Sequence, residues 1–106
     1  MSLIASYHPE AADELDAEVA WYEDRVDGLG ARFKNNVDTV VDDLLDWPNS
    51  GAVWPDAHPT QVVQSYGVTD FPCRVVYLVK DDELLIIAVA SDHREPGYWR
   101  NRLATT

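Results

Sequence analysis

Lysine, cysteine and long apolar runs are what this chain has least of. Lys34 and Lys80 are its only lysines, and 8 Lys and Arg stand against 19 Asp and Glu, for a formal net charge of -11. That balance excludes a conventional basic nucleic-acid-binding domain, whose phosphate contacts need clustered cations. Cys73 is the single cysteine, so neither an internal disulfide nor a cysteine-based metal site can form. It lies inside an apolar strand pattern, where a small buried side chain is expected. No apolar stretch approaches the ~20 residues of a membrane span. The first one, Leu3-Ile4-Ala5, is too short for a secretory signal. A soluble, cytoplasmic protein with no membrane partner is expected. His8, His58 and His93 are scattered without ligand spacing, and no glycine-rich phosphate loop occurs, so neither a metal nor a cofactor is implied.

The charge that is present is unevenly placed. Residues 1–50 carry twelve Asp or Glu against Arg25, Arg32 and Lys34, whereas residues 51–106 carry seven against Arg74, Lys80, Arg94, Arg100 and Arg102. Asp outnumbers Glu thirteen to six, a texture that suits either a high-salt cytoplasm, where net charge maintains solubility, or a GC-rich genome. Beyond residue 92 the arginines outnumber Glu95, and His93, Tyr98 and Trp99 stand among them. An active surface is therefore expected at this end of the chain. The acidic pairs Asp13-Glu14 and Asp42-Asp43 lie on predicted helices without a converging partner and read as solvated faces.

Periodicity gives an α+β chain. Ile4 to Tyr7 reads as an edge strand, and Pro9 suits the first turn of a helix. Apolar residues then recur at Ala12, Leu15, Val19, Tyr22 and Val26 on one helical face. Gly28-Leu29-Gly30 breaks that helix, and Phe33, Val37, Val40, Val41, Leu44 and Leu45 mark a second, ended by Trp47-Pro48. The two should pack as an antiparallel hairpin. Residues 48–59 hold Pro48, Gly51, Pro55 and Pro59 and read as a loop anchored by Trp54. Val62–Tyr66, Cys73–Lys80 and Leu84–Ala90 read as three strands of an antiparallel meander, the last two joined as a hairpin. Leu84–Ala90 is almost continuously apolar, so both of its faces should be covered.

Several local patterns then carry a family resemblance. They are Tyr7-His8-Pro9-Glu10-Ala11 at a strand-to-helix entry, Trp21-Tyr22-Glu23 and Gly28-Leu29-Gly30-Ala31-Arg32-Phe33 in the helix pair, and Phe71-Pro72-Cys73-Arg74-Val75-Val76-Tyr77 in a strand. Ala88-Val89-Ala90 followed by Arg94-Glu95-Pro96-Gly97-Tyr98-Trp99 closes the series. In this order and spacing they resemble the RelE/ParE superfamily of toxins from type II toxin–antitoxin systems. The resemblance implies a single toxin domain over residues 1–106 with a β-α-α-β-β-β order and a short C-terminal segment. It also implies a cognate antitoxin as partner.

The implied activity has two forms. Members similar to RelE cut mRNA on the ribosome without a metal, and members similar to ParE poison DNA gyrase. Cleavage needs a base for the 2'-hydroxyl, cations for the phosphorane-like oxygens and an acid for the leaving oxygen. By matching position, Arg74 would be the phosphate partner and Arg94 a second cation, Tyr98 would stack on a base or give a proton, and His93 would do acid–base work. Arg74 could equally pair with Asp70 or Asp92, and Tyr98 and Trp99 could simply cap the core. The chain also departs from the family pattern. Ser91 stands where many relatives have His, and Asp70 stands where relatives carry Arg or Lys. These departures favour a binding-only member, either a gyrase poison or a non-toxic antitoxin binder, over a ribonuclease.

Overall fold

The computed structural model describes residues 3–105. Strand β1 (Ile4–Tyr7) leads into helix α1 (Pro9–Arg25) and helix α2 (Leu29–Asp46). Strands β2 (Ala52–Trp54), β3 (Val63–Gly67), β4 (Cys73–Lys80) and β5 (Glu83–Ser91) follow, and a 3-10 segment spans Arg100–Thr105. The α+β class and the helical hairpin are as expected. The sheet has five strands in the order β1-β5-β4-β3-β2, with β1 as an edge strand parallel to β5; the expected three-stranded meander is β5-β4-β3, and β2 extends it by one strand.

Local chemistry sets the helix ends. His8 caps α1, its Nδ1 accepting the Glu10 N–H at 3.1 Å, ahead of Pro9, whose missing N–H costs nothing in the first turn. At the helix junction Gly28 takes φ 85°, which glycine adopts without strain. The Glu23 carboxylate accepts the N–H groups of Gly28 (2.8 Å) and Gly30 (3.0 Å), and these bonds hold its pKa below the ordinary value. Gly30 allows the helices to touch, since a Cβ there would lie 2.5 Å from the Val19 carbonyl oxygen.

The extra strand has a specific cause. Tyr77 is fully buried, and its hydroxyl accepts the Gly51 N–H (3.0 Å) and donates to the Pro48 carbonyl (2.6 Å). Gln64 Nε2 donates to the Gly51 carbonyl at 2.9 Å. These bonds pull the start of the expected loop onto the sheet, where Ala52–Trp54 pairs with Val63–Ser65. Three residues are too short for alternation to announce a strand.

Both faces of β5 are covered, as its apolar run requires. Toward the helices, Leu84, Ile86 and Val89 pack with Ala11, Leu15, Phe33 and Val37. On the opposite face Ile87 and Ala88 pack with Val76, Leu78, Trp99 and Leu103. Trp54 anchors its loop there, edge-on to Trp99 at 5.3 Å. A bulge explains why Ile86 and Val89 share a face. Val76 pairs with Ala88 and Tyr77 with Ile86, so Ile87 is an extra residue that resets the alternation.

The Gly51 contact makes a direct prediction. In Gly51→Ala the new Cβ would meet the Tyr77 hydroxyl at 2.5 Å and the Ser65 carbonyl oxygen at 2.9 Å. Overpacking of that kind costs about 1–3 kcal/mol, so urea denaturation should show a lowered midpoint with an unchanged slope.

Candidate functional site

The C-terminal end gathers around one carboxylate that the sequence reading assigned to a solvated face. Glu14, on α1, accepts the Tyr98 hydroxyl at 2.6 Å and both Arg102 terminal nitrogens at 2.8 and 3.0 Å. It also takes the Val89 N–H at 3.1 Å, and Arg94 Nη1 lies 3.8 Å away. The correction has a visible reason. A period of 3.6 puts residues 14 and 18 on the same stripe as Ala11, Leu15 and Tyr22, which faces the sheet.

Strand length explains why these partners converge. β1 has four residues and β5 nine, so the outer edge of β5 runs on past the end of β1. The His8 N–H takes the Ile86 carbonyl at 2.8 Å. Beyond it, Arg102 donates to the Ile87 carbonyl at 3.0 Å and Glu14 accepts from Val89. The pair thus satisfies backbone groups that a longer β1 would otherwise hold. Arg102 is 7% exposed and also meets Glu10 at 2.9 Å, so its charge is compensated where its desolvation is costly.

Two guanidinium groups lie near the Tyr98 ring, Arg94 at 3.9 Å and Arg102 at 5.2 Å from its centre. Burial, then the bond to Glu14, raises the phenol's pKa well above its ordinary value. The bond to Glu14 likewise raises that of Arg102. Cys73 opens β4 with its side chain buried, and its thiol is pushed up to about 12, chiefly by desolvation, which leaves it inert at neutral pH.

Two concavities flank this network. A groove of about 520 Å³ lies between α1 and the end of β5, with Glu18, Trp21, Tyr22 and His93 on its walls. Burial first, and then Glu14, raises the Glu18 carboxyl. A smaller cleft of about 210 Å³ opens on the face away from the helices and contains Arg74, Trp54, Asp92 and Glu95. Arg94 and Tyr98 border both spaces, but Arg74 borders only the cleft and His93 only the groove. The four residues singled out by sequence are therefore split between two sites.

Arg74 pairs with neither expected carboxylate. Its Nε donates to Ser65 Oγ at 3.0 Å and its Nη2 to the Ser65 carbonyl at 3.2 Å. Asp70 instead holds Arg32 at 2.9 Å. Trp99 caps the second core and is 2% exposed. Sequence reasoning missed Glu14, Arg102 and Ser65; only the helical stripe through Ala11 gave a signal, and only for Glu14. Among the described residues no group of three or more His, Cys, Asp or Glu converges as a metal site, and no helix is long and apolar enough to cross a membrane.

Opposite stability effects are expected at the two neighbouring glutamates. Glu14→Gln removes the bidentate carboxylate of the buried Arg102 and, among the described residues, leaves it Glu10, which should cost about 3 kcal/mol in urea denaturation. Glu18 binds its proton more tightly folded than unfolded, so stability falls as pH rises through the carboxylate range. Glu18→Gln should flatten that fall and unfold at higher urea than the wild type at neutral pH.

Comparison with known proteins agrees with the architecture. None of the curated protein sequences matches the chain. Among solved structures, a chain of the chromosomal ParDE TA system from P. aeruginosa superposes with a TM-score of 0.67. The match covers 84% of this chain and 95% of that one at 22% identity, a likeness of fold. The family model described as the ParE toxin of type II toxin-antitoxin system, parDE, matches residues 5–96. That span runs from β1 through β5 and holds both helices, and the chain belongs to the ParE toxin family.

Proposed function

We propose that this chain is the toxin of a type II toxin–antitoxin pair, neutralised by a cognate antitoxin, and that it arrests growth by binding DNA gyrase rather than by cutting RNA. The observation that carries the choice is the engagement of Glu14. RNA cleavage requires an acid, a base and cations around one phosphate. Here the Tyr98 hydroxyl is bound to Glu14, and Arg94 is stacked on the Tyr98 ring. His93 opens onto the groove, while Arg74 lies in the cleft beyond Tyr98. Among the described residues the cleft that holds Arg74 is lined by no histidine, and its one tyrosine, Tyr98, is bound to Glu14.

Electrostatics supports the same choice. A polyanionic strand would approach a protein of net charge -11 with few cations to offset the repulsion. Binding to a protein target has no such requirement. It needs a shaped surface with a few well-placed groups, which the groove and cleft supply.

Induction of the chain alone should therefore stop DNA synthesis while cellular mRNA stays full length. Labelled thymidine uptake and RNA sequencing of 5' ends would follow the two in one culture. Early mRNA cleavage, preceding any fall in DNA synthesis, would overturn the binding reading.

A further inference from the structure

Arg74 is a fixed cation awaiting a counter-charge. It pairs across the sheet with Gly67, and its guanidinium reaches back to Ser65 on the same strand as Gly67. Two hydrogen bonds to Ser65 hold Nε and one proton of Nη2, so the remaining Nη1 and Nη2 protons form a fork. No carboxylate lies within salt-bridge reach of Arg74 among the described residues, although the protein is rich in them. The fork opens into a cleft of about 210 Å³ between Trp54, Val76 and Trp99.

We infer that this cleft receives the carboxylate of a glutamate from a segment of the target protein, which Arg74 grips through its planar fork. The inference rests on the binding reading given above and names the chemistry by which the target is held. Three observations select a protein carboxylate over a nucleic-acid phosphate. The volume suits one side chain, and the apolar walls suit a glutamate's methylene stem. Among the described residues Arg74 is the cation lining the cleft that has no carboxylate partner, since Arg94 lies over Tyr98 and 3.8 Å from Glu14; a phosphodiester strand needs a row of cations. Asp92 and Glu95 stand on the rim, exposed. They repel a polyanion, yet they complement a lysine or arginine beside the incoming glutamate. A bidentate guanidinium–carboxylate contact on a pre-positioned arginine gives both affinity and orientation.

The test uses the full-length 15N-labelled protein and three probes: acetyl-Lys-Glu-Leu-amide, its Gln counterpart and a uridine hexanucleotide. The Glu peptide should saturably shift the Arg74 Nε–H and Trp54 indole N–H signals and bind about tenfold more tightly than the Gln peptide. Arg74→Gln should abolish the preference while keeping the backbone spectrum. Arg74→Lys, which keeps the charge and loses the fork, should reduce it. Equal binding of the two peptides, tighter binding of the hexanucleotide, or an undiminished preference in Arg74→Gln would overturn the inference. The titration needs no toxicity. A failure to arrest growth sinks the proposed function and leaves the cleft standing, whereas arrest without a carboxylate preference sinks the cleft alone.

Discussion

The pairing of Glu14 with Arg102 holds the segment after β5 in place. A nine-residue central strand lies beside a four-residue edge strand, so part of its outer edge must find hydrogen bonds elsewhere or stay unsatisfied at a cost of about 1–3 kcal/mol per group. One carboxylate from α1 and one guanidinium from the 3-10 segment supply them. The same contact ties the segment that carries Trp99 and Leu103 onto the second core. Buried ion pairs of this kind are seldom efficient sources of stability, because desolvation consumes most of the Coulombic gain. What this one supplies is position: a single register for the chain end relative to helix and sheet.

That anchoring shapes what the surface can do. Two of the residues singled out by sequence are drawn into the network: Tyr98 by its hydroxyl and Arg94 by its stacking on the Tyr98 ring. Arg74 is left apart, steadied by a neutral serine. A cation held by neutral partners keeps its charge available to an incoming group. The fold thus separates a closed cluster on the helix side from an open cleft, the proposed binding site, on the other.

Much of this was legible in the sequence, and what was not has physical causes. The helices announced themselves by spacing and by the Gly28-Leu29-Gly30 break. The continuous apolar run at Leu84–Ala90 required cover on both faces, and Trp54 behaved as the anchor of its loop. Strand β2 was illegible because its cause is a tertiary one, the buried Tyr77 hydroxyl pulling on Gly51. Glu14 and Arg102 are 88 residues apart, and no local pattern tells a carboxylate which distant arginine will meet it. Arg74 looked bound for Asp70 or Asp92. Instead Asp70 sits in a turn at φ 67° and pairs with Arg32 on α2.

A double-mutant cycle on Glu14→Gln and Arg102→Met, read by urea denaturation, tests the anchoring most directly. If the two side chains act as one unit completing the sheet edge, the double mutant should be far less destabilised than the sum of the singles, with a coupling of about 2–3 kcal/mol. Additive losses, with a coupling below about 0.5 kcal/mol, would mean that the two contribute independently and that the chain end is held by its apolar contacts alone.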